Sequence, residues 1–274
     1  MKILSFFTLL FLFASCHCEI RTNSDRESIS TDLINSTGMI VSGYQVDKDY
    51  FLEQCLLDYD EMFCNGPATE AVVENINDQL EAAFAIKGTS FAVQRHEGET
   101  ILLTAGHTCE SMNSTNKNIE SFFQAFTFPR SENKPLRPQK YRYVYDINRQ
   151  KYPINNVVYS NSDNPDICMV SVKGMFPHNV AIAEKPPQLG QRITNIAAPF
   201  GIFNKQTIII FDGYFSGHMN DNDIYSIPAA PGSSGSPVFH NNKLIGLIHA
   251  TDRRFNHISY GTPLTAIQNL LTFE

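Results

Sequence analysis

The strongest constraint on the fold is the spacing of apolar residues from Gly88 onward, which alternates as in β-strands. Two pairs of apolar runs are joined by short turns of the hairpin type: residues 89–93 and 100–105 around Glu97-Gly98, and residues 237–239 and 243–249 around Asn241-Asn242. The 274 residues are enough for one large all-β domain or two small barrels that share an interface. We therefore predict an all-β protein.

Helical spacing is confined to two short segments. Thr69 can cap a helix whose apolar side recurs at Val72, Val73, Ile76, Leu80, Ala83 and Phe84. A second helix is predicted from Pro263 to the C-terminus, with Leu264, Ile267, Leu270 and Leu271 on one side. Residues 19–67 are polar with few periodic apolar positions, so we predict an extension with little regular structure, which could serve as a pro-segment.

The first residues predict export. Lys2 precedes the apolar run 3–13, which is followed by the small residues at 14–18, as in a signal peptide. Neither this run nor any later one is long enough for a membrane helix, so no membrane span is expected. We predict a secreted or extracytoplasmic protein. As an alternative, Phe13-Ala14-Ser15-Cys16 resembles a bacterial lipoprotein box, in which Cys16 would carry a lipid anchor.

Four cysteines remain after signal removal: Cys55, Cys64, Cys109 and Cys168. An even number in an oxidising compartment predicts two disulfides, for which three pairings exist. Proximity in sequence favours Cys55 with Cys64. Two sequons, at Asn35 and Asn113, are glycosylation sites if the host is eukaryotic.

Charge and motif content exclude several function classes. The net charge is -7 and no basic patch is present, which argues against nucleic acid or an anionic membrane as the main partner. His96-Glu97 lacks the second histidine at helical spacing that a zinc protease needs, and the cysteines are scattered. We expect neither a metal nor a cofactor.

A loop rich in serine and glycine carries the chemistry. Residues 231–237 lie between the apolar runs 227–230 and 238–239, so they form a tight loop inside a folded domain rather than a linker. Gly232 lets the backbone approach a substrate carbonyl, since glycine has no side chain in the way. We predict Ser234 as a nucleophile, with its own N–H and that of Gly232 as the oxyanion hole.

Such a serine needs a base and an acid that orients the base. His107 follows the buried strand 100–105, where rigid backbone holds it facing outward. Asp166 precedes the apolar strand 167–172 and is the predicted acid, because a carboxylate that orients a histidine also belongs at a strand end. Asp146 is its main competitor.

With these residues assembled, the chain resembles the trypsin-like serine proteases of the chymotrypsin fold. The resemblance lies in three motifs that occur in the family's order: Leu103-Thr104-Ala105-Gly106-His107, Asp166-Ile167-Cys168-Met169-Val170 and Gly232-Ser233-Ser234-Gly235-Ser236-Pro237. Residues 88–91, 189–191 and 198–201 look most like the high-temperature-requirement, glutamyl-endopeptidase and viral branches. The resemblance implies two six-stranded Greek-key barrels with the site in the cleft between them.

The resemblance also implies a division of the chain and a role for each motif. The expected parts are a signal peptide at 1–18, an extension with one helix at 19–83, an N-terminal barrel at 84–177, and a C-terminal barrel with its terminal helix at 178–274. His107 would take the proton of Ser234, and Asp166 would hold His107 in its working tautomer. Since each cysteine of the pair Cys109 and Cys168 follows a triad residue by two positions, the implied triad brings them together as the second disulfide.

The implied function is secreted serine endopeptidase, with a polypeptide as the substrate. An inactive binding module on the protease fold is the first alternative. An esterase is the second, although esterases usually carry the histidine last in the sequence. Ser233 stands where the digestive enzymes have an aspartate that receives a new N-terminus, so activation by that ion pair is not expected.

Substrate preference depends on the first specificity pocket. Counting back from Ser234, the aspartate that selects Lys or Arg in trypsin falls near Pro228, so a basic preference is disfavoured. Ala229 and His249 are the predicted pocket residues. In the glutamyl and viral branches a histidine after Gly-Ile favours Glu or Gln, and His249 is displaced from that place by one residue. Glu or Gln preference and small apolar preference are equally compatible with the sequence.

Overall fold

Two closed antiparallel barrels of six strands each make up the computed structural model, which describes residues 29–114, 118–124 and 135–272. The strands of the first barrel are β1 Thr37–Val46, β2 Ile86–His96, β3 Glu99–Thr104, β4 Pro138–Tyr145, β5 Lys151–Asn161 and β6 Ile167–Lys173, in the order β1-β2-β3-β6-β5-β4. Those of the second are β7 Arg192–Ala197, β8 Ile209–Met219, β9 Asn222–Tyr225, β10 Ser236–His240, β11 Lys243–Thr251 and β12 Ser259–Pro263, in the order β10-β11-β12-β9-β8-β7. The predicted fold class is confirmed.

The helices lie outside the barrels. They are α1 Thr31–Ser36, α2 Lys48–Asp58, α3 Glu61–Cys64, α4 Pro67–Phe84, α5 Gly106–Asn113, α6 Asn118–Gln124 and α7 Leu264–Thr272. The helix predicted from Thr69 is α4, which begins at Pro67 because proline fits the first helical turn, and its buried side includes Val73, Ile76 and Leu80. Among the described residues no helix is long and apolar enough to cross a membrane.

Strand β1 corrects the prediction for residues 19–83. It pairs with β2 on one side and β4 on the other, so it closes the first barrel. Nine of its ten residues are buried, which removes the alternation of buried and exposed positions that would have marked it as a strand. The N-terminal barrel therefore begins at Thr37 rather than at residue 84, and α2 to α4 form an insertion between β1 and β2. A pro-segment could not extend past Ser36 without taking a barrel strand with it.

Strand β8 is continuous where its sequence suggests a break. Residues 207–217 read as two strands around a turn at Asp212-Gly213, yet β8 runs through this point without interruption and pairs with β7. The Asp212 carboxylate accepts hydrogen bonds from Arg192 at 2.8 Å and from Thr194 at 2.9 Å, both on β7. The hydrogen-bonding capacity of Asp212, whose polarity suggests a turn, is thus satisfied by side chains of the neighbouring strand.

Both predicted hairpins are present. Gly98 turns the chain between β2 and β3 with φ of 78°, and Asn241 and Asn242 do so between β10 and β11 with φ of 50° and 58°. Positive φ at both central residues is the geometry of a turn that matches the twist of antiparallel strands. The hairpin β2–β3 leads directly into α5, and the loop that precedes β10 holds Ser234.

The largest apolar cluster joins the two barrels. It combines side chains of the first barrel, among them Phe91, Leu103 and Ile167, with side chains of the second, among them Ile196, Phe239 and Leu247. These residues lie on the strands that lead into or out of the predicted site. The strands that carry the predicted site are therefore packed on an apolar core that both barrels share.

Candidate active site

Three side chains from the two barrels form one chain of hydrogen bonds. His107 Nδ1 lies 2.7 Å from Asp166 Oδ2, and His107 Nε2 lies 2.9 Å from Ser234 Oγ. His107 and Asp166 belong to the first barrel and Ser234 to the second. The structure thus brings together the three residues that the motifs singled out.

The position of His107 follows from the start of α5. It is the second residue of this helix, where backbone N–H groups have no helical partner, and its N–H donates to Asp166 Oδ1 at 3.0 Å. A Cβ at Gly106 would lie 3.0 Å from the same Oδ1 and would collide with the carbonyl of Asn161. Glycine is therefore needed there for the close approach of the two elements.

The Asp166 carboxylate is oriented by two contacts to one residue. Its side chain is only 9% exposed, and its two oxygens accept from the backbone and the ring of His107. Its carbonyl accepts the hydroxyl of Thr262 at 2.7 Å, which holds the backbone. With Nδ1 donating to the carboxylate, the neutral imidazole presents the lone pair of Nε2 to Ser234 Oγ.

Asp146, the competing candidate for the acid, stabilises a turn instead. Its carboxylate accepts from the backbone N–H groups of Asn148 at 2.8 Å and Gln150 at 2.9 Å, and from the hydroxyl of Tyr152 at 3.4 Å. Burial, together with the Asp146 charge, raises the pKa of Tyr152 to about 12. None of the hydrogen bonds of Asp146 in the described residues reaches His107.

Two backbone N–H groups of the serine loop have no hydrogen-bond acceptor among the described residues. The carbonyl of Pro231 accepts from Phe200 N–H at 2.7 Å, and that of Ser233 accepts from Ser236 N–H at 2.9 Å. Because C=O and N–H point in opposite directions in a trans peptide, the N–H groups of Gly232 and Ser234 face the other way. In the part of the chain that the structure describes, neither donates to a protein group.

Glycine at position 232 permits this conformation. Its φ is 97°, a region that L side chains rarely adopt, and a Cβ would lie 2.9 Å from Phe200 N. Thr89 holds the other side of the loop, since its hydroxyl donates to Gly232 O at 2.8 Å and its N–H donates to Ser234 O at 2.8 Å. Thr89 belongs to the motif 88–91, but its contacts with the serine loop were not predicted.

The two disulfides pair the cysteines as predicted. Cys109 and Cys168, with Cα atoms 6.3 Å apart, tie α5 to β6, the elements that carry or follow His107 and Asp166. Cys55 and Cys64, with Cα atoms 5.8 Å apart, close the segment from α2 to α3. The first bridge therefore belongs to the site and the second to the helical insertion.

His249 faces the acid of the triad. Its side chain is 13% exposed, with Nδ1 at 3.6 Å from Asp166 Oδ2 and Nε2 at 2.9 Å from Asn222 Oδ1. Burial is the largest cause that lowers the pKa of His249, and the charge of Asp166 opposes it. The pocket role of His249 stays a prediction, and the residue lies where the register between β11 and β12 shifts, between Ile248 and Ala250.

The remaining predicted positions have no contact with the triad in the hydrogen bonds of the described residues. Ala229 is half-buried and packs against the apolar core of the second barrel. Asn35 is half-buried in α1, whereas Asn113 is exposed at the end of α5 and accepts from Arg142 at 3.1 Å. The signal peptide and Cys16 lie outside the described residues. The described residues contain no group of three His, Cys, Asp or Glu that could hold a metal ion.

Comparison with known proteins points to one family. A profile described as the trypsin-like peptidase domain matches residues 88–247. No curated protein sequence matches the chain.

Solved structures share the fold at low sequence identity. A serine endoprotease from Yersinia pestis is similar with a TM-score of 0.54 and 11% identity over 88% of this chain. A protease from M. tuberculosis in its active form is similar with a TM-score of 0.53 and 12% identity, over 89% of this chain and 87% of that one. The chain spans 63% of the length of the Yersinia pestis chain.

Proposed function

Since the chain belongs to the trypsin-like peptidase family, we propose that it is a serine endopeptidase that cleaves peptide bonds through an acyl-enzyme intermediate. The observation that carries the proposal is the unbroken hydrogen-bond chain from Asp166 through His107 to Ser234. Acyl transfer also needs donors for the oxyanion. In this proposal they are the two backbone N–H groups of the serine loop that have no protein acceptor, those of Gly232 and Ser234.

Each group has one task in the reaction. Ser234 Oγ attacks the substrate carbonyl carbon while His107 Nε2 takes the hydroxyl proton. Asp166 stabilises the imidazolium that forms, and the N–H groups of Gly232 and Ser234 bind the oxyanion. His107 then gives the proton to the leaving amine, and water repeats the sequence on the acyl-enzyme to release the second product.

The alternatives differ in what they require of this site. An inactive binding module has no need for a serine hydroxyl within hydrogen-bond distance of an imidazole, yet Ser234 Oγ is 2.9 Å from His107 Nε2. An esterase would use the same groups on another substrate. The family favours the peptidase, and comparison of peptide with ester substrates separates the two.

Secretion is part of the proposal. The two disulfides favour an oxidising compartment, in agreement with the apolar leader at residues 3–13. Lipid anchoring through Cys16 is the alternative. Mass spectrometry of the N-terminus of the protein recovered from its natural source distinguishes a free cleaved end from a lipid-modified cysteine.

The test of the mechanism is labelling of the disulfide-intact protein with a fluorophosphonate probe. We expect the probe on Ser234, and Ser234→Ala should lose labelling together with about 10⁶-fold in peptide turnover. Ser233→Ala is the matched control, because Ser233 is the adjacent buried serine and, in the described part of the chain, its hydroxyl accepts from Ala230 N–H. A folded wild-type protein that takes up no probe would contradict the proposed function.

A further inference from the structure

His249 is held between two residues of different elements. It lies on β11 in the second barrel, and its ring contacts Asp166 at the start of β6 and Asn222 on β9. Both ring nitrogens therefore face protein groups. Because only 13% of the side chain is exposed, little of the ring is left to contact a substrate.

The positions of the ring protons decide what His249 does to Asp166. With Nε2–H donating to Asn222 Oδ1, the neutral ring presents a lone pair at Nδ1 to Asp166 Oδ2, 3.6 Å away. A second proton on Nδ1 turns this contact into an attraction between opposite charges. The same Oδ2 is the acceptor of His107 Nδ1 at 2.7 Å, so the two imidazoles would compete for one oxygen.

We propose that His249 is a positioning residue of the active site, an inference that rests on the proposed function. The neutral ring fills the space beside the Asp166 carboxylate and, because it offers Oδ2 no proton, leaves that oxygen to His107. The protonated ring draws Oδ2 toward itself and weakens the bond to His107. Proteolysis is thereby reduced in acid by a group that never touches the substrate.

The charges around His249 set the direction of the pH effect. Burial lowers its pKa, the Asp166 charge from β6 raises it, and His107 on α5 lowers it again. Asp223, the next residue after Asn222 on β9, is engaged with His218 at 2.6 Å and Tyr225 at 3.0 Å. His249 is therefore neutral at neutral pH, and its second proton arrives only as the solution becomes acidic.

The first experiment compares the pH dependence of kcat and KM for wild type, His249→Gln and His249→Ala. On the acid side the logarithm of kcat/KM should fall with a slope clearly above one in wild type, because protonation of His249 reduces activity further, and with a slope of about one in His249→Gln, which cannot take a second proton. His249→Ala should lose up to about 10²-fold in kcat with KM unchanged, because the space left by the ring lets the carboxylate move out of line with His107. His249→Gln should restore most of that loss.

His240→Gln is the matched control. His240 lies on β10 in the same barrel, and its ring bonds the carbonyl of Arg192 rather than a triad residue. Its pH profile should match wild type. Identical acid limbs for wild type and His249→Gln would overturn the proposal, and so would a change of cleavage preference with a raised KM in His249→Ala, since that would place the ring in the substrate pocket.

A second measurement needs no turnover. In Ser234→Ala protein, NMR follows the titration of the His249 ring with and without Asp166→Asn. Removing the Asp166 charge should lower the pKa of His249 further, because that charge raises it. An unchanged titration would overturn the proposed contact between His249 and Asp166. This measurement does not depend on labelling by the fluorophosphonate, so failure of this inference is distinguishable from failure of the proposed function.

Discussion

At the scale of single residues, Asp146 and Asp166 show how neighbours determine the task of a carboxylate. Both are buried aspartates of the first barrel, with exposed fractions of 1% and 8%. Asp146 accepts mainly from backbone N–H groups of its own turn, whereas both oxygens of Asp166 accept from His107. The first arrangement stabilises a loop, and the second is the one that the proposed mechanism needs to orient His107 as its base.

The matched pair Asp166→Asn and Asp146→Asn separates these tasks. Asp166→Asn should reduce kcat by about 10⁴-fold, because an amide stabilises neither the working tautomer nor the imidazolium of His107. Asp146→Asn should leave kcat near wild type and lower the free energy of unfolding by about 1 kcal/mol through weakened turn contacts. Steady-state kinetics and urea unfolding measure the two effects. A catalytic loss confined to Asp146→Asn would show that Asp146, and not Asp166, is the acid.

At the scale of elements, the two disulfides constrain very different lengths of chain. Cys109 and Cys168 are 59 residues apart and join α5 to β6, whereas Cys55 and Cys64 are 9 residues apart within the helical insertion. A cross-link removes more freedom from the unfolded chain when the loop it closes is longer. The Cys109–Cys168 bridge should therefore contribute more to stability, and of the two it is the one that joins the elements next to His107 and Asp166.

Removing each bridge by paired Cys→Ala substitutions tests this difference. Loss of the Cys109–Cys168 bridge should cost about 4 kcal/mol in the free energy of unfolding, against about 2.5 kcal/mol for the Cys55–Cys64 bridge. Only the first variant should also lose peptidase activity under conditions where it is folded, since α5 and β6 carry the alignment of His107 with Asp166. Equal activity of the two folded variants would show that packing alone maintains the alignment.

At the scale of the whole molecule, Thr89 links the two barrels. Its hydroxyl donates to Gly232 O at 2.8 Å and accepts from Ala198 N–H at 2.9 Å, although Thr89 lies on β2 and both partners belong to the second half of the chain. The serine loop is thus held by a residue of the opposite barrel. We therefore expect docking of the barrels to affect the position of the proposed oxyanion donors, Gly232 N–H and Ser234 N–H, through the Thr89 side chain.

Thr89→Val should lose activity as well as stability, and Thr100→Val only stability. Thr100 is a matched control because it is also buried on a strand of the first barrel, and its hydroxyl donates to Gly174 O at 2.9 Å and accepts from Phe176 N–H at 3.0 Å. Each change leaves buried groups unpaired and should cost about 1–3 kcal/mol in the free energy of unfolding. We expect Thr89→Val to reduce kcat by about 10²-fold through the displaced oxyanion donors. Equal kcat values in the two variants would exclude the coupling.

The sequence by itself determined what depends on near neighbours in the chain. Alternation and turn residues were sufficient for the hairpins β2–β3 and β10–β11 and for the all-β class, since these arise from local backbone preferences. The order of three short motifs was sufficient to single out His107 and Ser234. The family match over residues 88–247 agrees with that order.

Only the tertiary structure decided what depends on residues far apart in the chain. Strand β1 lacks alternation because it is buried on both sides, so its place in the first barrel is visible only through β2 and β4. Which buried aspartate reaches His107, which way the ring of His249 points, and which barrel supplies Thr89 to the serine loop are all decided by contacts across the fold. A sequence motif gives the kinds of side chain present, and packing gives their distances, on which proton transfer depends.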